Sequence, residues 1–515
     1  MVCKISKIDS NITGLSFAEE ECLKELPGTA GASAVWFGLE PNSYSDFGGD
    51  LSTVARAPID PSRQNKKGAI TDLDASGGFN TDFTKSNITR ILQGFFFADA
   101  RQLPSTSPLN SAALTIGAVT ATTKTYALSS GGTSFAAGQM IFAKGFANAS
   151  NNGLKTVASS TATTVVVTES LINETAPSTA SFETVGYQFA AADVNFAIVD
   201  GVASIVSTTT VFTSFTSLFP GIWVFIGGDL AANRFANNVG YARIKSISAN
   251  SIVFDDTTFA GVTETGTGKS IRMFVGTVIK NEKIPSLIKR RSYNIERQLG
   301  EGENGTQAEY LEGAVSNEFT LNIPQADKLN ADLGFIACAN TYRSGDTGDK
   351  LKVGTRNSAP GEDAYNTSSD IYRIKMAVHN AASSTPTALF GYVSEATISI
   401  NNNVSPNKAV GILGAFDTTA GNFEVGGSLT AYFTTVAAVK AVRANADVGL
   451  SIIGAAKNAG FIFDIPLLGL GGGRLNVEKD APITVPLEPA GAENTNGYTL
   501  LHEVFAYLPT VAMPS

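Results

Sequence analysis

Two stretches in the middle of the chain repeat one another, and this limits what the chain can fold into. Gly138-Gln-Met-Ile-Phe142 runs into KGFANASNNGLKTVASSTATTVVV. Gly221-Ile-Trp-Val-Phe225 runs into IGGDLAANRFANNVGYARIKSISANSIVF. Each reads as Gly, an apolar strand ending in Phe, an Asn-Asn turn, a second strand, a polar turn and a β-branched strand. Asn151-Asn152-Gly153 suits a tight turn with positive φ, and Asn237-Asn238-Val239-Gly240 reads as one residue longer there. The repeat predicts two small β-domains of one type, at 110–195 and 196–275.

A second repeat flanks the first. LDASGGFNTDF (Leu73 to Phe83) and FEVGGSLTAYF (Phe423 to Phe433) align without a gap, and each runs into a helical pattern. A weaker copy is LEGAVSNEFTLNI (Leu311 to Ile323), followed by QADKLNADLGF. The positions that define the unit are Asp74, Gly77, Phe83, Glu312, Glu424, Gly426 and Phe433. The two small domains thus interrupt a repeated, older fold. Its pieces are an N-terminal arm (1–35), a first part (36–109), a continuation (276–360) and a C-terminal copy (361–515).

Most of the remaining chain alternates β-branched or aromatic residues with Gly, Asn, Asp and Ser turns, as in IWVFI (222–226) and FIFDI (461–465). Four segments carry helical patterns: 13–26, with a Ser16 cap, and 84–97, 325–335 and 434–444. The predicted class is mostly β with a few short helices.

Composition removes several functions. Charged residues are 16% of the chain, below the roughly 25% usual for soluble domains. The net charge is −9, which argues against a protein that grips phosphates. Cys3, Cys22 and Cys338 form neither a CxxC motif nor a disulfide framework. No apolar segment follows Lys4 and Lys7, so no signal peptide is expected, and Gly460 to Leu470 is too short to span a bilayer. A low-charge, Gly- and Thr-rich surface of this size suits a protein whose surface is buried in partners.

Catalytic signals are weak. His379 and His502 stand in no mechanical context, and His502-Glu503 does not continue as HExxH. Gly469 to Arg474 (GLGGGR) lacks the Lys-Ser/Thr of a phosphate loop and reads as a turn between strands. Asp72, Asp74 and Asp82 sit at strand spacing, on a solvated face by default. Lys280, Lys283, Lys289, Arg290 and Arg291 form the densest basic run. In an acidic chain this run reads as a solvated loop or the positive half of a subunit contact. No catalytic, metal or cofactor-binding residue is assigned, and no enzyme activity or cofactor is expected.

The last third resembles the major tail tube proteins of tailed bacteriophages. The resemblance is carried by VSEATISINNNVSPNKAVG (393–411), GNFEVGGSLTAYF (421–433), FDIPLLGLGGGRLNVEKDAPITVPLEPA (463–490) and YTLLHEVFAYLP (498–509). Segments 63–97 and 292–339 look like further tube units, and the first small domain resembles domains that recur in phage tail proteins. The resemblance implies a β-sandwich or barrel with a flanking helix. Its sheets join those of neighbours into rings, and stacked rings form a hollow conduit for the genome. The implied partners are other copies of the chain, a tape-measure protein, a tail terminator, baseplate or tail-tip proteins, and double-stranded DNA passing without specific binding. The implied place is the virion tail, assembled in the host cytoplasm.

On that reading residues 1–30, the loop 41–70 and the segment 280–305 serve stacking, much of the −9 lies on the bore, and the small Ig-like domains sit outside, dispensable for assembly. A doubled tube fold gives a ring of three chains, a single one a ring of six. The competing readings are a surface-layer protein or adhesin, another virion part such as a baseplate, decoration or tail-terminator protein, and a polysaccharide depolymerase.

Overall fold

Alternating sequences fold as strands because each strand then buries one face and wets the other. In the computed structural model 49% of the chain is strand, and the two α-helices among the described residues are short. The structure describes residues 7–9, 12–28, 33–59, 61, 64–255, 259, 261–302, 305–378 and 388–514. Cys3 and His379 lie outside the described residues. The fold is mostly β, as the pattern predicted. The chain divides into unit 1 (1–98, 284–365 and 395–429) and unit 2 (99–283, 366–394 and 430–515).

In unit 1 the chain runs through β1 (Gly14–Glu19), β2 (Val35–Leu39), β3 (Pro41–Ala55), β4 (Gly68–Asp82) and α1 (Thr89–Phe96). It resumes with β5 (Tyr293–Gly302), β6 (Gly305–Ile323), β7 (Asn330–Ala337), β8 (Ala339–Arg343) and β9 (Thr355–Asn357). It ends with β10 (Val393–Asn401), β11 (Ser405–Lys408), β12 (Ala415–Thr419) and β13 (Glu424–Tyr432). The first half of β6 pairs with β5 and β8, and β5 continues through β1 to β2 and β9. Its second half pairs with β7 and β10, and β7 continues through β4 to β3. One 19-residue strand therefore serves two sheets. At the changeover Gly313 takes φ +62°, and a Cβ there would lie 3.0 Å from Cys338 Cβ. That position favours glycine on both counts.

The second sheet buries Phe79, Phe319, Leu321, Leu333, Phe335 and Ile398 on one face. Helix α1 covers this face, with Phe95 5.3 Å from Phe335 and 5.8 Å from Phe319 between ring centres. The approach is close at Gly94, where a Cβ would meet Ser316 Oγ and Tyr293 Oη at 2.6 Å.

Three local expectations fail. Residues 14–19 form a strand, not a helix, because Leu15 and Phe17 are buried at period 2 while β1 pairs on both edges. Residues 330–337 are a strand too, with Ala331, Leu333, Phe335 and Ala337 buried. Pairing between β4 and β6 overrides the helical propensity of Lys328 to Leu333. Residues 41–70, read as a loop, are largely the two long strands of a hairpin. The helical patterns at 84–97 and 434–444 do yield α1 and α2 (Ala437–Arg443).

Unit 2 contains both small repeats, and the same elements recur in the same order. Strands Gln139–Lys144, Gly153–Ser160 and Thr164–Val167 of the first correspond to Trp223–Ile226, Gly240–Ile247 and Ser251–Phe254 of the second. A shared polar knot fixes the correspondence. Asn151 exchanges two hydrogen bonds with the Ile172 backbone at 2.9 Å and donates to Glu174. Asn238 does the same with Val262, at 2.9 and 2.8 Å, and donates to Glu264. Each Glu also accepts the two N–H groups of the Ala-Asn pair that follows Phe146 or Phe235. Asn151 and Asn238 are therefore equivalent, and the first copy is the longer one, by Ala149 and Ser150.

The two repeats are anchored differently. The first has its own core around Tyr126, Phe135, Ile141, Val165 and Phe182. The core of the second runs on into the C-terminal strands. Trp223, Tyr241 and Ile244 share it with Ile453, Ile462, Tyr498 and Phe505. Excising 110–275 should therefore prevent unit 2 from folding rather than leave assembly intact. Limited proteolysis and thermal unfolding of the excised protein check this; a cooperative transition at the parent temperature would refute it.

Candidate functional site

No cluster of three or more metal-ligating side chains occurs among the described residues, so the surfaces carry the functional argument. The first is the β3–β4 hairpin, with two 15-residue strands. Its base is clamped. Arg297 lies over Phe47, 4.6 Å from the ring centre, donates to the Phe47 carbonyl and pairs with Glu309. Gly77 fits there because a Cβ would meet Leu311 and Phe47 at 2.8 and 2.9 Å. Beyond Asp50 the hairpin leaves Leu51, Val54 and Ile70 more than half exposed (54%, 62% and 56%). Such residues on a long two-stranded arm mark a surface made to be covered.

The second surface is the outward face of the sheet β3–β4–β7–β6–β10. Cross-strand rows there read Asn80·Asp332·Thr320·Ser399 and Asp82·Asn330·Asn322·Thr397. The amides bond along these rows. Asn80 Nδ2 donates to Asn330 and Asp332 at 3.0 and 2.7 Å, and Asn322 Nδ2 to the same two residues at 2.9 and 2.7 Å. Asn42 Nδ2 donates to Asn80 and Asp82. The strands β3, β4, β6, β7, β10 and β13 contain no Lys or Arg, yet each holds at least one Asp or Glu. Sequence reading missed this surface because Asn330 and Asp332 fell in an expected helix. The period-2 spacing of Ala331, Leu333, Phe335 and Ala337 was the available signal.

The basic run is divided between the units. In unit 2, Lys280 is buried against Glu282 at 3.2 Å, and burial lowers its pKa. Lys283 is exposed and pairs with Glu493. In unit 1, Arg290 pairs with Asp417 at 2.9 Å, while Arg291 is buried, pairs with Glu19 and donates to the Ala98 carbonyl. Lys289 is exposed. Internal partners thus absorb much of the run, and Lys283, Lys289 and Arg290 remain at the surface.

The acidic trio separates likewise. Asp72 and Asp74 both pair with Lys408, which holds the Asp72 carboxyl below its ordinary range. Asp82 pairs with Lys328 at 2.7 Å. Of the repeat positions, Asp74 and Glu424 are exposed, Phe83 is buried and packs on Tyr365, and Glu312 pairs with Lys352 at 2.8 Å. Gly426 and Phe433 are half-buried. The first two copies are strands β4 and β13 leading into α1 and α2, whereas the third, in β6, leads into strand β7.

Residues 244–490 match the family described as phage tail tube protein. The matched segment includes β6, β7, β10 and β13, and the match supports a structural component of a phage tail. No curated protein sequence matches the chain. The charged core of unit 2 lies on strands Ala459–Gly472 and Gly240–Ile247, with Asp255 and Asp464 inside the matched segment and Arg243 immediately before it. Arg243 donates to both Asp464 oxygens at 2.9 and 2.8 Å and to Asp255 at 2.9 Å. Burial disfavours the Arg243 charge, and the two carboxylates more than reverse this, so its pKa is raised. Beyond the matched segment, His502 is buried, stacks on Phe463 at 4.2 Å and donates Nδ1–H to the Ile462 carbonyl. Burial pulls its pKa down to about 3, so it is a neutral core residue. Among the described residues no helix is long and apolar enough to cross a membrane.

Two outcomes follow from this charged core. Arg243→Met leaves Asp464 buried without its cation and should cost roughly 3–5 kcal/mol, read by denaturant unfolding. Glu503 is buried, accepts the N–H groups of Gly276 and Trp223 at 2.8 and 2.9 Å, and burial pushes its pKa up to about 8. The folded state therefore holds a proton that the unfolded chain releases near the ordinary value of 4.5. Stability from this group is complete below that value and falls as pH rises towards 8, by up to about 1.4 kcal/mol per pH unit. Glu503→Gln should flatten this fall in unfolding curves taken from pH 5 to 8; an unchanged slope would reject the assignment.

Proposed function

We propose that the chain polymerises into stacked rings forming the hollow tube of a phage tail, through which the genome is delivered. The observation that carries the reading is the exposed apolar β3–β4 arm, in a chain whose residues 244–490 match the tail tube family. Such an arm has a partner only in an assembly, and a neighbouring copy can close the sheet edge it presents. Lys283, Lys289 and Arg290 are offered as further subunit contacts. Tape-measure, terminator and tail-tip proteins are the expected partners of the tube ends, and assembly is placed in the host cytoplasm. The strand-to-helix units at β4–α1 and β13–α2 favour a doubled tube fold and a ring of three chains, which native mass spectrometry can count. The first small domain is offered as an Ig-like outward decoration.

Negative-stain microscopy of the purified chain tests the core of the proposal. Hollow tubes are expected; flat arrays would favour a surface layer, and monomers at high concentration would overturn the reading. Replacing residues 51–73 by Asn-Gly closes the hairpin at the Asp50·Asp74 pair. This variant should keep its circular dichroism spectrum and cooperative unfolding yet form no tubes.

A further inference from the structure

We propose that the β11–β12 hairpin is a second contact element for a neighbouring copy of the chain, and that Lys408 is the positioning residue that joins it to the root of the β3–β4 arm. The inference rests on the tube reading above and names a further surface within it. The hairpin turns through Ala409-Val410-Gly411-Ile412-Leu413-Gly414, a tip with no charged side chain. Val410 is fully exposed, and Ile412, Leu413 and, on β12, Phe416 are about half exposed. Large apolar side chains gathered on a short two-stranded hairpin mark a surface made to be covered.

The hairpin's root, by contrast, is tied down. Ala415 N–H donates to the Cys338 carbonyl at 3.1 Å, and Lys24 Nζ donates to the Ala415 carbonyl at 2.8 Å. Arg290 pairs with Asp417 and donates to Thr418 Oγ1. Gly414 takes φ +83°, and a Cβ there would meet the Cys338 carbonyl oxygen at 2.7 Å and Leu73 Cδ2 at 3.5 Å. The tip therefore ends beside Leu73 of β4, which pairs across the arm with the exposed Leu51. Lys408 completes the join by bonding both Asp72 and Asp74. Asp50 lies directly opposite Asp74, so without Lys408 the carboxylates of Asp50, Asp72 and Asp74 would stand together at the arm's root and repel. A tip on a fixed root loses little freedom when it is covered.

Charge selects the occupant. Lys408 is matched by Asp72 and Asp74, and Arg290 by Asp417. A second copy can therefore cover the tip without burying an isolated cation beside it. The tip is also continuous with the arm, which is itself read as a contact for another copy. A membrane is disfavoured, because an apolar hairpin held on anionic lipid needs cations at its flank, and the carboxylates at the arm's root outnumber Lys408.

Variants of the full chain test this by the concentration at which tubes form, read by pelleting and negative-stain microscopy. Val410→Asn combined with Ile412→Asn should raise that concentration about tenfold or more yet leave thermal unfolding as in the parent, because the tip side chains are exposed. Lys408→Met should act in the same way, since exposed ion pairs add little to folding stability. Lys408→Arg should stay within about twofold of the parent, because its guanidinium can still bridge two carboxylates. Leu230→Asn, exposed on the second small repeat, is the control and should assemble as the parent does. Normal assembly of the tip variant overturns the contact, and normal assembly of Lys408→Met overturns the positioning role. Loss shared by Lys408→Arg overturns that role too, and equal loss from Leu230→Asn overturns the contact. Flotation with vesicles of zwitterionic and anionic phospholipid, achieved by the parent and lost in the tip variant, would assign the tip to lipid instead. If the parent chain forms no tubes, the tube reading is refuted and the inference falls with it.

Discussion

Every strand must satisfy both of its edges, and in unit 1 this requirement converges on β6. A strand of 19 residues is too long for one sheet of this size. It pairs with β5 and β8 over its first half and with β7 and β10 over its second. The other features of unit 1 follow from that division. Phe319 and Leu321 face α1, Glu318, Thr320 and Asn322 face water, and Glu309 reaches Arg297 at the root of the arm. A one-residue slip of β6 would invert all of these at once.

Unit 2 depends on a different interaction. Its second repeat is joined to the C-terminal strands by Arg243 and Asp464 inside a continuous apolar core. A buried ion pair adds little net stability, but it penalises any arrangement that separates its partners. The pair therefore acts on arrangement, holding the repeat on the strands that follow it. The first repeat keeps a core of its own and adds Met140, Val185 and Tyr187 to the larger one. Two copies of one design thus take different structural roles, which their local sequences do not announce.

Charge is organised rather than merely scarce. The basic residues that stood out in the sequence are largely spent on internal carboxylates, as Arg290 on Asp417 and Lys280 on Glu282 show. Strands β3, β4, β6, β7, β10 and β13 hold acids and no Lys or Arg, and several of those acids, such as Asp72, Asp74 and Asp82, draw their cations from Lys408 and Lys328 outside those strands.

The sequence by itself determined the β class, the two small repeats, the two short helices and the tail tube resemblance. Each of these is written in local period, turn chemistry or composition. It misjudged Gly14–Glu19 and Asn330–Ala337, whose helical propensity was overruled by pairing with strands hundreds of residues away in one case and by two flanking strands in the other. It could not reveal that Asn80, Asn322 and Asp332 share one face, or that Arg243 meets Asp464 across 221 positions. Those juxtapositions depend on register and on packing between distant segments, and only the tertiary structure decided them.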